Sequence, residues 1–241
     1  SKVPSVVEYG FLEHCLREDL NETAQRVMAV THPVPLTITN YPEGKTETFE
    51  IENNPGHPED GARMVSFSGR LYVEAEDFLE TPVPKYKRLY PDGPECRLKG
   101  AYLVRCTGCK KDENGNISEI LCTYDPDSRG GDPADGRKVK GATIHWVDAG
   151  TAVDAEVRLY DNLFSDPDPD APGKNFLDCL NPNSLTVVEG AKVETSLASA
   201  QPGDHFQFMR LGYFCADKDS TPEHLVFNRS VSLKDGFKAK K

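Results

Sequence analysis

The sequence predicts a mostly β protein built from many short strands, with a helix at its start. Short runs of alternating apolar and polar residues recur along the chain, and 18 Pro and 19 Gly residues interrupt them. Alternation is typical of strands that bury one face, and frequent turns favour a sandwich or a barrel over a doubly wound sheet. A chain of 241 residues with 37% hydrophobic residues can form two domains of ordinary size.

The first element is an amphipathic helix predicted over residues 6–20. Its apolar residues recur at helical spacing, and they are Val7, Phe11, Leu12, Cys15, Leu16 and Leu20. A second, short helix is predicted over 174–180, where Asn181-Pro182 ends it. The predicted strands cover residues 34–39, 65–73, 101–110, 117–124, 142–147, 155–161, 185–189, 204–214 and 225–232.

The hairpin around residue 115 is the clearest strand prediction. Its two alternating runs flank Asn114-Gly115, a dipeptide that accommodates the positive φ angles of a type I′ turn. Further along, the segment YDPDSRGGDPADG is rich in Gly, Pro and Asp and indicates a domain boundary between 125 and 135. We therefore expect a helical connector at 1–24, a first β unit at 25–128 and a second at 129–241.

The charge of the chain is negative overall but unevenly distributed. The net charge is −11 and the pI is near 5.1. Eight basic residues nevertheless lie within 85–111 and three more within 137–140, whereas acidic residues concentrate at 74–77 and 166–170. We expect a bipolar surface whose basic part contacts phosphates, because Lys and Arg displace the counterions of a nucleic acid. No apolar run approaches the length of a membrane-spanning helix.

The sequence contains none of the common catalytic or metal-binding motifs. A glycine-rich phosphate loop, an HExxH zinc motif and a GxSxG nucleophile motif are absent. Four cysteines within 96–122 are spaced unlike a zinc ribbon, and buried thiols commonly serve as small apolar groups. The segment 166–170 begins like a calcium loop, but the later Gly and Glu positions hold Ala171 and Leu177. We therefore expect no catalytic residue and no metal ligand in this chain.

Several segments carry a resemblance to a known family. They are DPADGRKVKGATIHWVDAGTAVDAEVRLYDNLF, which contains the only tryptophan, FSDPDPDAPGKNFLDCLNPNSL, HFQFMRLGYFC and VFNRSVSL. On these segments the chain resembles the C-terminal, tRNA-binding half of the glutaminyl-tRNA synthetase family over almost its whole length. The resemblance implies two anticodon-binding β-barrels, of a type shared with a 5S-rRNA-binding ribosomal protein family, whose strands can interleave. Segment 132–164 would open the second barrel and supply core residues, namely Val139, Ile144, Trp146, Val157 and Leu159.

The resemblance also implies residues that read the middle base of an anticodon. Asn21 matches a residue that touches the anticodon loop, and Arg26 matches one that helps to read the middle base. Gln207 and Arg210 match residues that recognise a middle uracil. Gln207 alternates with two phenylalanines, so its side chain should point away from their core face. Met209 departs from the family, which has an acidic residue there, and leaves the details of this pocket open.

The remaining base-reading residues implied by the resemblance belong to the basic segment. Lys87 and Arg88 match a basic pair that contacts the first and third bases, and Arg97 matches an arginine used at the first base. Lys85 stands where close relatives have a glutamine, and we include it among the expected contacts. Gly56 replaces an asparagine that supports the anticodon loop. Each of these residues could otherwise be an ordinary solvated charge or turn residue.

The function implied is recognition of a tRNA rather than catalysis. In the family, a catalytic domain ligates glutamine to its tRNA with ATP and Mg²⁺, and its HIGH and KMSKS signatures are missing from this chain. We therefore expect a C-terminal portion of a longer cytoplasmic ligase, without a cofactor of its own and without a membrane. Its expected partners are a glutamine-specific tRNA and its own N-terminal catalytic domain, and we expect a monomer.

Three other functions remain open at this point. Archaeal- and eukaryotic-type glutamyl-tRNA synthetases carry related anticodon-binding barrels. A stand-alone RNA-binding β-barrel protein would need no catalytic domain. A β-sandwich that binds proteins or sugars would suit the negative net charge best.

Overall fold

The computed structural model describes residues 7–234. Within them it contains one α-helix, α1 (Tyr9–Thr23), and short 3-10 helices at Pro58–Asp60, Ala75–Asp77, Phe176–Cys179 and Thr195–Ser199. The strands are β1 (Gln25–Val27), β2 (Ala29–Val30), β3 (Pro33–Ile38), β4 (Thr46–Glu52), β5 (Ala62–Ser68), β6 (Arg70–Glu74), β7 (Cys96–Leu98), β8 (Leu103–Lys111), β9 (Ile117–Asp125), β10 (Thr143–Ile144), β11 (Val147–Asp148), β12 (Val153–Tyr160), β13 (Leu185–Val193), β14 (His205–Phe208), β15 (Gly212–Ala216) and β16 (Leu225–Ser232).

The strands form two seven-stranded sheets, each curled into a barrel or half-barrel, and a separate hairpin. The first sheet has the order β10-β7-β8-β9-β3-β6-β11, and the second has the order β1-β14-β15-β16-β12-β13-β2. The hairpin pairs β4 with β5. The predicted mostly β fold with two barrels is confirmed.

The two sheets exchange strands across the expected division of the chain. Residues 25–30, expected in the first unit, form β1 and β2 of the second sheet. Residues 143–148, expected in the second unit, form β10 and β11 of the first sheet. The sheets are therefore not divided at the expected boundary, because each contains strands from both sides of it. The domain boundaries 25–128 and 129–241 remain a prediction.

The segment 132–164 contributes to both cores rather than opening only the second barrel. Ile144 and Trp146 are fully buried in the core of the first sheet, and the Trp146 indole donates a hydrogen bond to the Lys99 carbonyl. Val157 is fully buried in the core of the second sheet, and Leu159 packs against that core. The chain therefore crosses from one core to the other between β11 and β12.

The segment 25–30, which holds β1 and β2, contacts both cores because an extended chain has two faces. Val27 and Ala29 lie in the second core, whereas Met28 and Val30 lie in the first, and all four have an exposed fraction of 0%. Because successive side chains of a strand point to opposite faces, one segment can serve both cores. It then appears in the sequence as the unbroken apolar run Val-Met-Ala-Val, which has no alternation to mark it as a strand.

Helix α1 begins and ends three residues later than predicted. Position 6, the predicted start, lies outside the described residues. At its end, the Asn54 side-chain amide donates to the Glu22 carbonyl at 3.1 Å, which satisfies one of the free carbonyls of the last turn. Leu20 is buried there against Tyr213 and Val231. The cap and this packing extend the helix beyond its predicted end.

Two predicted elements differ in detail because of local turns. The predicted strand 204–214 is two strands, since Arg210 adopts a left-handed conformation with φ of 69° and the Leu211 N–H donates back to the Phe208 carbonyl. The hairpin of β8 and β9 is confirmed, but only Gly115 of the turn has a positive φ. Asp112 Oδ1 instead accepts two turn N–H groups and supports a five-residue loop.

Two further predictions are shortened in the structure. The predicted strand 142–147 is divided between β10 and β11, and the predicted helix 174–180 is the 3-10 turn Phe176–Cys179. The Asn175 side chain accepts the Leu177 N–H at the start of this turn. The predicted strand 225–232 matches β16 at both ends.

Candidate nucleic-acid interface

Arg26 and Gln207 lie side by side on one face of the second sheet. They are register partners on the parallel strands β1 and β14. Phe206 and Phe208 on either side of Gln207 are buried in the second core, so Gln207 faces away from that core, as the alternation predicts. Partners on adjacent parallel strands share a face, so both side chains leave the sheet on the same side. The structure thus brings together two of the predicted base-reading residues.

This pair contains two polar atoms that residues 7–234 leave unsatisfied. Among the described residues, Arg26 Nε and Gln207 Oε1 are buried and have no hydrogen-bond partner. A buried polar group without a partner costs about 1–3 kcal/mol, and native proteins contain few such groups. One atom is a donor and the other is an acceptor. The pair can therefore bind a polar ligand edge that offers the complementary groups.

Asn21 orients Arg26 from the end of α1. Asn21 Oδ1 accepts a hydrogen bond from an Arg26 terminal nitrogen at 3.3 Å and lies 3.4 Å from the Tyr213 hydroxyl, which also donates to it. Tyr213 is the cross-strand partner of Gln207, and burial raises the pKa of its hydroxyl. Asn21, Arg26, Gln207 and Tyr213 therefore form one connected group, which we call the strand-face cluster.

A second group surrounds Asp77, whose side chain is fully buried. Arg210 donates from both terminal nitrogens to the two carboxylate oxygens, at 2.7 and 2.6 Å, and Arg88 lies 3.1 Å from Oδ1. Arg210 also contacts His145 Nδ1 at 3.3 Å. We call Asp77, Arg88, His145 and Arg210 the aspartate cluster. It lines a cavity of about 180 Å³ together with Glu74.

The two clusters lie at successive positions of the same strand pair. Gln207 is within β14, and Arg210 lies three residues later, in the turn that follows the strand. The Met209 N–H donates to the Val27 carbonyl and keeps β14 paired with β1 up to this point. Arg210 therefore contacts Asp77 instead of joining Arg26 and Gln207, although all three were predicted to read the same base.

The acidic segment 74–77 was expected on an exposed negative surface, but only Glu76 of its three carboxylates is exposed. Glu74 is 5% exposed and Asp77 is 0% exposed. Burial opposes the ionisation of Glu74, but the His145 ring 3.6 Å away and hydrogen bonds from the backbone N–H groups of Thr31 and His32 outweigh it and lower its pKa. Glu74 and Asp77 can be buried because N–H groups and an arginine from distant segments bind their carboxylates.

The other predicted contact residues lie outside both clusters. Lys85 and Lys87 are exposed, and within the described residues neither has a carboxylate partner. Lys85 has a positive φ of 68°. Arg97, in β7, donates to the Gly131 carbonyl at 2.9 Å and to Asp132 at 3.2 Å. The structure thus leaves the two lysines accessible and holds Arg97 against the loop after β9.

Ion pairs neutralise much of the remaining basic segment. Lys110 pairs with Glu119, and Lys111 pairs with Glu80. Arg137, which was expected at most to contact phosphates, is bound by three carboxylates, those of Glu95, Asp125 and Asp135. The basic groups that remain available are therefore fewer than the sequence clusters indicate.

Sequence reasoning missed four residues that build the site. They are Asn54, Asp77, His145 and Tyr213. Tyr213 could have been found from the β14–β15 alternation, because it faces Gln207 across the hairpin. The contact between Asp77 and Arg210 spans 133 residues, and no local pattern marks it.

The structure bears on the predicted absence of a metal site only for the residues that it describes. Within 7–234, no three His, Cys, Asp or Glu side chains are arranged to hold a metal ion. Cys96, Cys106 and Cys122 are buried in the first core, where they pack as apolar groups, and Cys109 packs at its margin. In the same part of the chain, no helix is both long and apolar enough to cross a membrane.

Comparisons with known proteins agree with this architecture. Two models of the family described as "tRNA synthetases class I (E and Q), anti-codon binding domain" match residues 24–125 and 143–217. The second match begins at β10, so it includes the strands that return to the first sheet. Together the two matches cover most of both sheets.

The chain is also similar to curated proteins named glutamine–tRNA ligase. It is 53% identical to that of Clostridium perfringens over 241 residues, 50% to that of Bradyrhizobium diazoefficiens over 237, and 52% to that of Vibrio cholerae over 238. These matches cover 98–100% of this chain but only 42–43% of each relative, so the chain spans less than half their length. The predicted family is confirmed. The chain belongs to the family of anticodon-binding domains of class I (E and Q) tRNA synthetases.

Proposed function

We propose that this chain recognises the anticodon of a glutamine tRNA, as part of a longer glutamine–tRNA ligase. The family match and the glutamine–tRNA ligase relatives support this proposal. The observation that carries it is the pair of buried polar atoms, Arg26 Nε and Gln207 Oε1, which lack a partner among the described residues. Single-stranded RNA bases are read through hydrogen bonds to their edges, and this pair offers one donor and one acceptor.

The donor and acceptor of this pair fit the middle uracil of a glutamine anticodon. Uracil presents an N–H between two carbonyl oxygens. Gln207 Oε1 would accept the N–H, and Arg26 Nε would donate to a neighbouring oxygen. Cytosine has an acceptor in place of that N–H, so it would leave Gln207 Oε1 facing another acceptor. Asn21 would keep the Arg26 guanidinium in place through the 3.3 Å hydrogen bond.

The third anticodon base is the second element of recognition. It separates glutamine from glutamate, because their anticodons share the middle uracil and differ between guanine and cytosine at the third base. Arg88 bonds inward through one terminal nitrogen, to Asp77 and to the Glu76 carbonyl. Among the described residues, its Nε and other terminal nitrogen have no partner and so remain for a ligand. A bidentate arginine is the commonest reader of guanine. We assign Lys85, Lys87, Arg97 and Arg210 to supporting contacts with the anticodon bases and phosphates.

The chemistry of the whole protein is proposed to reside in the rest of a longer polypeptide. We propose that a catalytic domain N-terminal to this chain uses ATP and Mg²⁺ to ligate glutamine to the 3′ end of the tRNA. The relatives are more than twice as long as this chain, which leaves room for such a domain. Recognition needs no second copy of the chain, so we propose a monomer that acts in the cytoplasm.

Binding of labelled tRNA transcripts to the 241-residue chain tests the proposal. We expect tighter binding to a glutamine transcript than to one whose middle uracil is changed to cytosine, and weaker binding of both as salt rises. Arg26→Ala should reduce the preference for uracil by about tenfold, which is about 1.4 kcal/mol. Arg158→Ala serves as the control, because Arg158 pairs with Glu156 and Asp219 outside both clusters.

Other outcomes would select the alternative functions. Binding that is insensitive to salt would favour a protein- or sugar-binding module. Equal affinity for all anticodons would indicate a general RNA-binding barrel, and preference for a third-base cytosine would indicate the glutamyl type. An unchanged preference for uracil in Arg26→Ala would contradict the proposed role of Arg26.

A further inference from the structure

The aspartate cluster is arranged in two layers. Asp77 is innermost and 0% exposed, whereas the side chains of Arg88 and Arg210 are 38% and 31% exposed. Both guanidinium groups therefore lie between the buried carboxylate and solvent, beside the cavity of about 180 Å³. Within the described residues, Arg88 makes its inward contacts through one terminal nitrogen and Arg210 through both, so the Nε of each arginine remains available to a ligand.

Fold stability gives no sufficient reason for this arrangement. Replacing a buried ion pair by apolar residues of similar size is often neutral or stabilising, because the attraction of the charges is offset by their loss of hydration. Glu74 and Glu76 line the same cavity as Asp77, so the two arginines give the site no excess of positive charge. What they offer a ligand is N–H donors, which suit carbonyl oxygens and other acceptors.

The contacts of Asp77 fix the orientation of the Arg210 guanidinium group. A carboxylate and a guanidinium that share two parallel hydrogen bonds hold each other in one plane. Arg210 makes this fork-like contact with Asp77, and its terminal nitrogen also contacts His145 Nδ1. This contact requires Nδ1 to accept, which leaves the His145 proton on Nε2, 3.6 Å from Glu74. The plane of Arg210 is therefore fixed from two sides.

The backbone at Arg210 supports the same interpretation. Only Lys85, Asp92 and Arg210 have a positive φ among the described residues other than glycine. This conformation is unfavourable for residues with a side chain, and such residues concentrate at functional sites. A glycine would suit the turn between β14 and β15 better. The turn nevertheless has an arginine whose guanidinium meets Asp77.

We infer that Asp77 is a positioning residue for base recognition: its buried carboxylate orients Arg88 and Arg210 so that their outward N–H groups meet the third anticodon base. The inference rests on the proposed function. One terminal nitrogen of Arg88 contacts Asp77 and donates to the Glu76 carbonyl. Its Nε and second terminal nitrogen are therefore the pair of donors that can face a base. Asp77 itself does not touch the base.

The test compares two tRNA transcripts that differ only at the third base. The wild-type 241-residue chain, Asp77→Asn and Asp77→Glu are each titrated with a transcript of anticodon CUG and with one of anticodon CUC. Asp77→Asn removes the charge but keeps the shape. Asp77→Glu keeps the charge and displaces the carboxylate by one methylene group, so it can fold even if the neutral variant does not. We expect both variants to lower the CUG preference by about tenfold.

A matched control separates positioning from stability. Asp148 is another buried aspartate, 3% exposed, and accepts hydrogen bonds from the hydroxyls of Ser66, Ser68 and Thr151. Asp148→Asn should lower the melting temperature and leave the CUG preference intact. In an Arg88→Ala/Arg210→Ala background, Asp77→Asn should cause no further loss of preference, since it acts through those two arginines.

Each other result has a definite meaning. A wild-type chain without a CUG preference would contradict third-base recognition by this chain, and the inference with it. If the wild type has the preference and both folded Asp77 variants retain it, only the positioning role of Asp77 is overturned. The same holds if the variants lose affinity for both transcripts equally, because that result indicates a structural role.

Discussion

Arg63 and Glu194 form a buried ion pair that joins the β4–β5 hairpin to the second sheet. Their side chains are 10% and 2% exposed, and a terminal nitrogen of Arg63 donates to Glu194 Oε2 at 2.8 Å. The same oxygen accepts the Met28 N–H at 2.9 Å. Met28 belongs to the segment shared by the two cores, so one carboxylate connects three parts of the fold.

Loss of this carboxylate should destabilise the fold strongly. Glu194→Ala leaves the Arg63 guanidinium and the Met28 N–H without their partner, and breaking a buried pair in this way costs about 3–5 kcal/mol. Denaturant unfolding followed by circular dichroism measures the change. Glu80→Ala is the control, because the Lys111–Glu80 pair is about half exposed and solvent screening should leave it contributing little to stability. Equal losses in the two variants would contradict the prediction.

Gln207→Leu should separate stability from binding. Within residues 7–234, Gln207 Oε1 is buried without a partner, so an apolar side chain removes an unsatisfied group and should leave the melting temperature unchanged or raise it. Affinity for a glutamine tRNA should fall at the same time, because the acceptor for the middle uracil is gone. Thermal unfolding and tRNA titration measure the two effects.

A second glutamine provides the comparison for this variant. Gln25 lies on the same strand as Arg26, but its side-chain amide donates to Asn53 Oδ1 at 3.0 Å. Gln25→Leu breaks that bond and should cost about 1 kcal/mol of stability. If Gln207→Leu is destabilised as much as Gln25→Leu, the Gln207 side chain has a structural partner and the proposed role is wrong.

The loop beside the strand-face cluster should respond to pH through His57. The His57 ring lies 2.8 Å from Glu22 and 3.0 Å from Glu59, and hydrogen bonds to Glu22 and then to Glu59 raise its pKa above the ordinary 6.5. The hydrogen bond with His57 likewise lowers the pKa of Glu22 below 4.5. These contacts fasten the loop after β4 to the end of α1, which carries Asn21.

The sign of the pH effect follows from these shifts. Because the pKa of His57 is higher in the folded chain, its contribution is complete below pH 6.5 and disappears as pH rises through the raised value. The contribution of Glu22 is present above pH 4.5 and is lost as pH falls through the lowered value. The contacts should therefore stabilise the loop most between these limits. An NMR titration of His57 measures its pKa, and Glu22→Gln/Glu59→Gln should return it towards 6.5; an unchanged value would contradict the assignment.

Local patterns predicted those elements that have one buried and one exposed face. Alternation identified the strands that became β8, β9 and β16, and it placed Gln207 on the face opposite Phe206 and Phe208. It failed where both faces are buried, as in the shared segment 25–30, and where a turn interrupts an apolar run, as at Arg210. In both cases the deciding contacts come from distant parts of the chain.

The candidate site was predicted in part, for the same physical reason. Asn21, Arg26 and Gln207 meet because β1 pairs with β14, and the paired residues are about 180 positions apart in the chain. The resemblance implied a role for each of these residues but not the strand pairing that brings them together. Arg88 and Arg210 were predicted as base contacts, whereas the carboxylate that binds both was interpreted as part of an exposed acidic segment. A charge run shows no sign of burial until its partners are known.

The sequence by itself determined the mostly β class, the strand alternation and the family resemblance, because these depend on the order of side chains along short segments. Tertiary structure alone decided which sheet each strand joins and which charges become buried. Strand pairing and ion pairing depend on contacts between residues far apart in the chain, and Asp77 acquires its partners only when residues 88 and 210 fold around it.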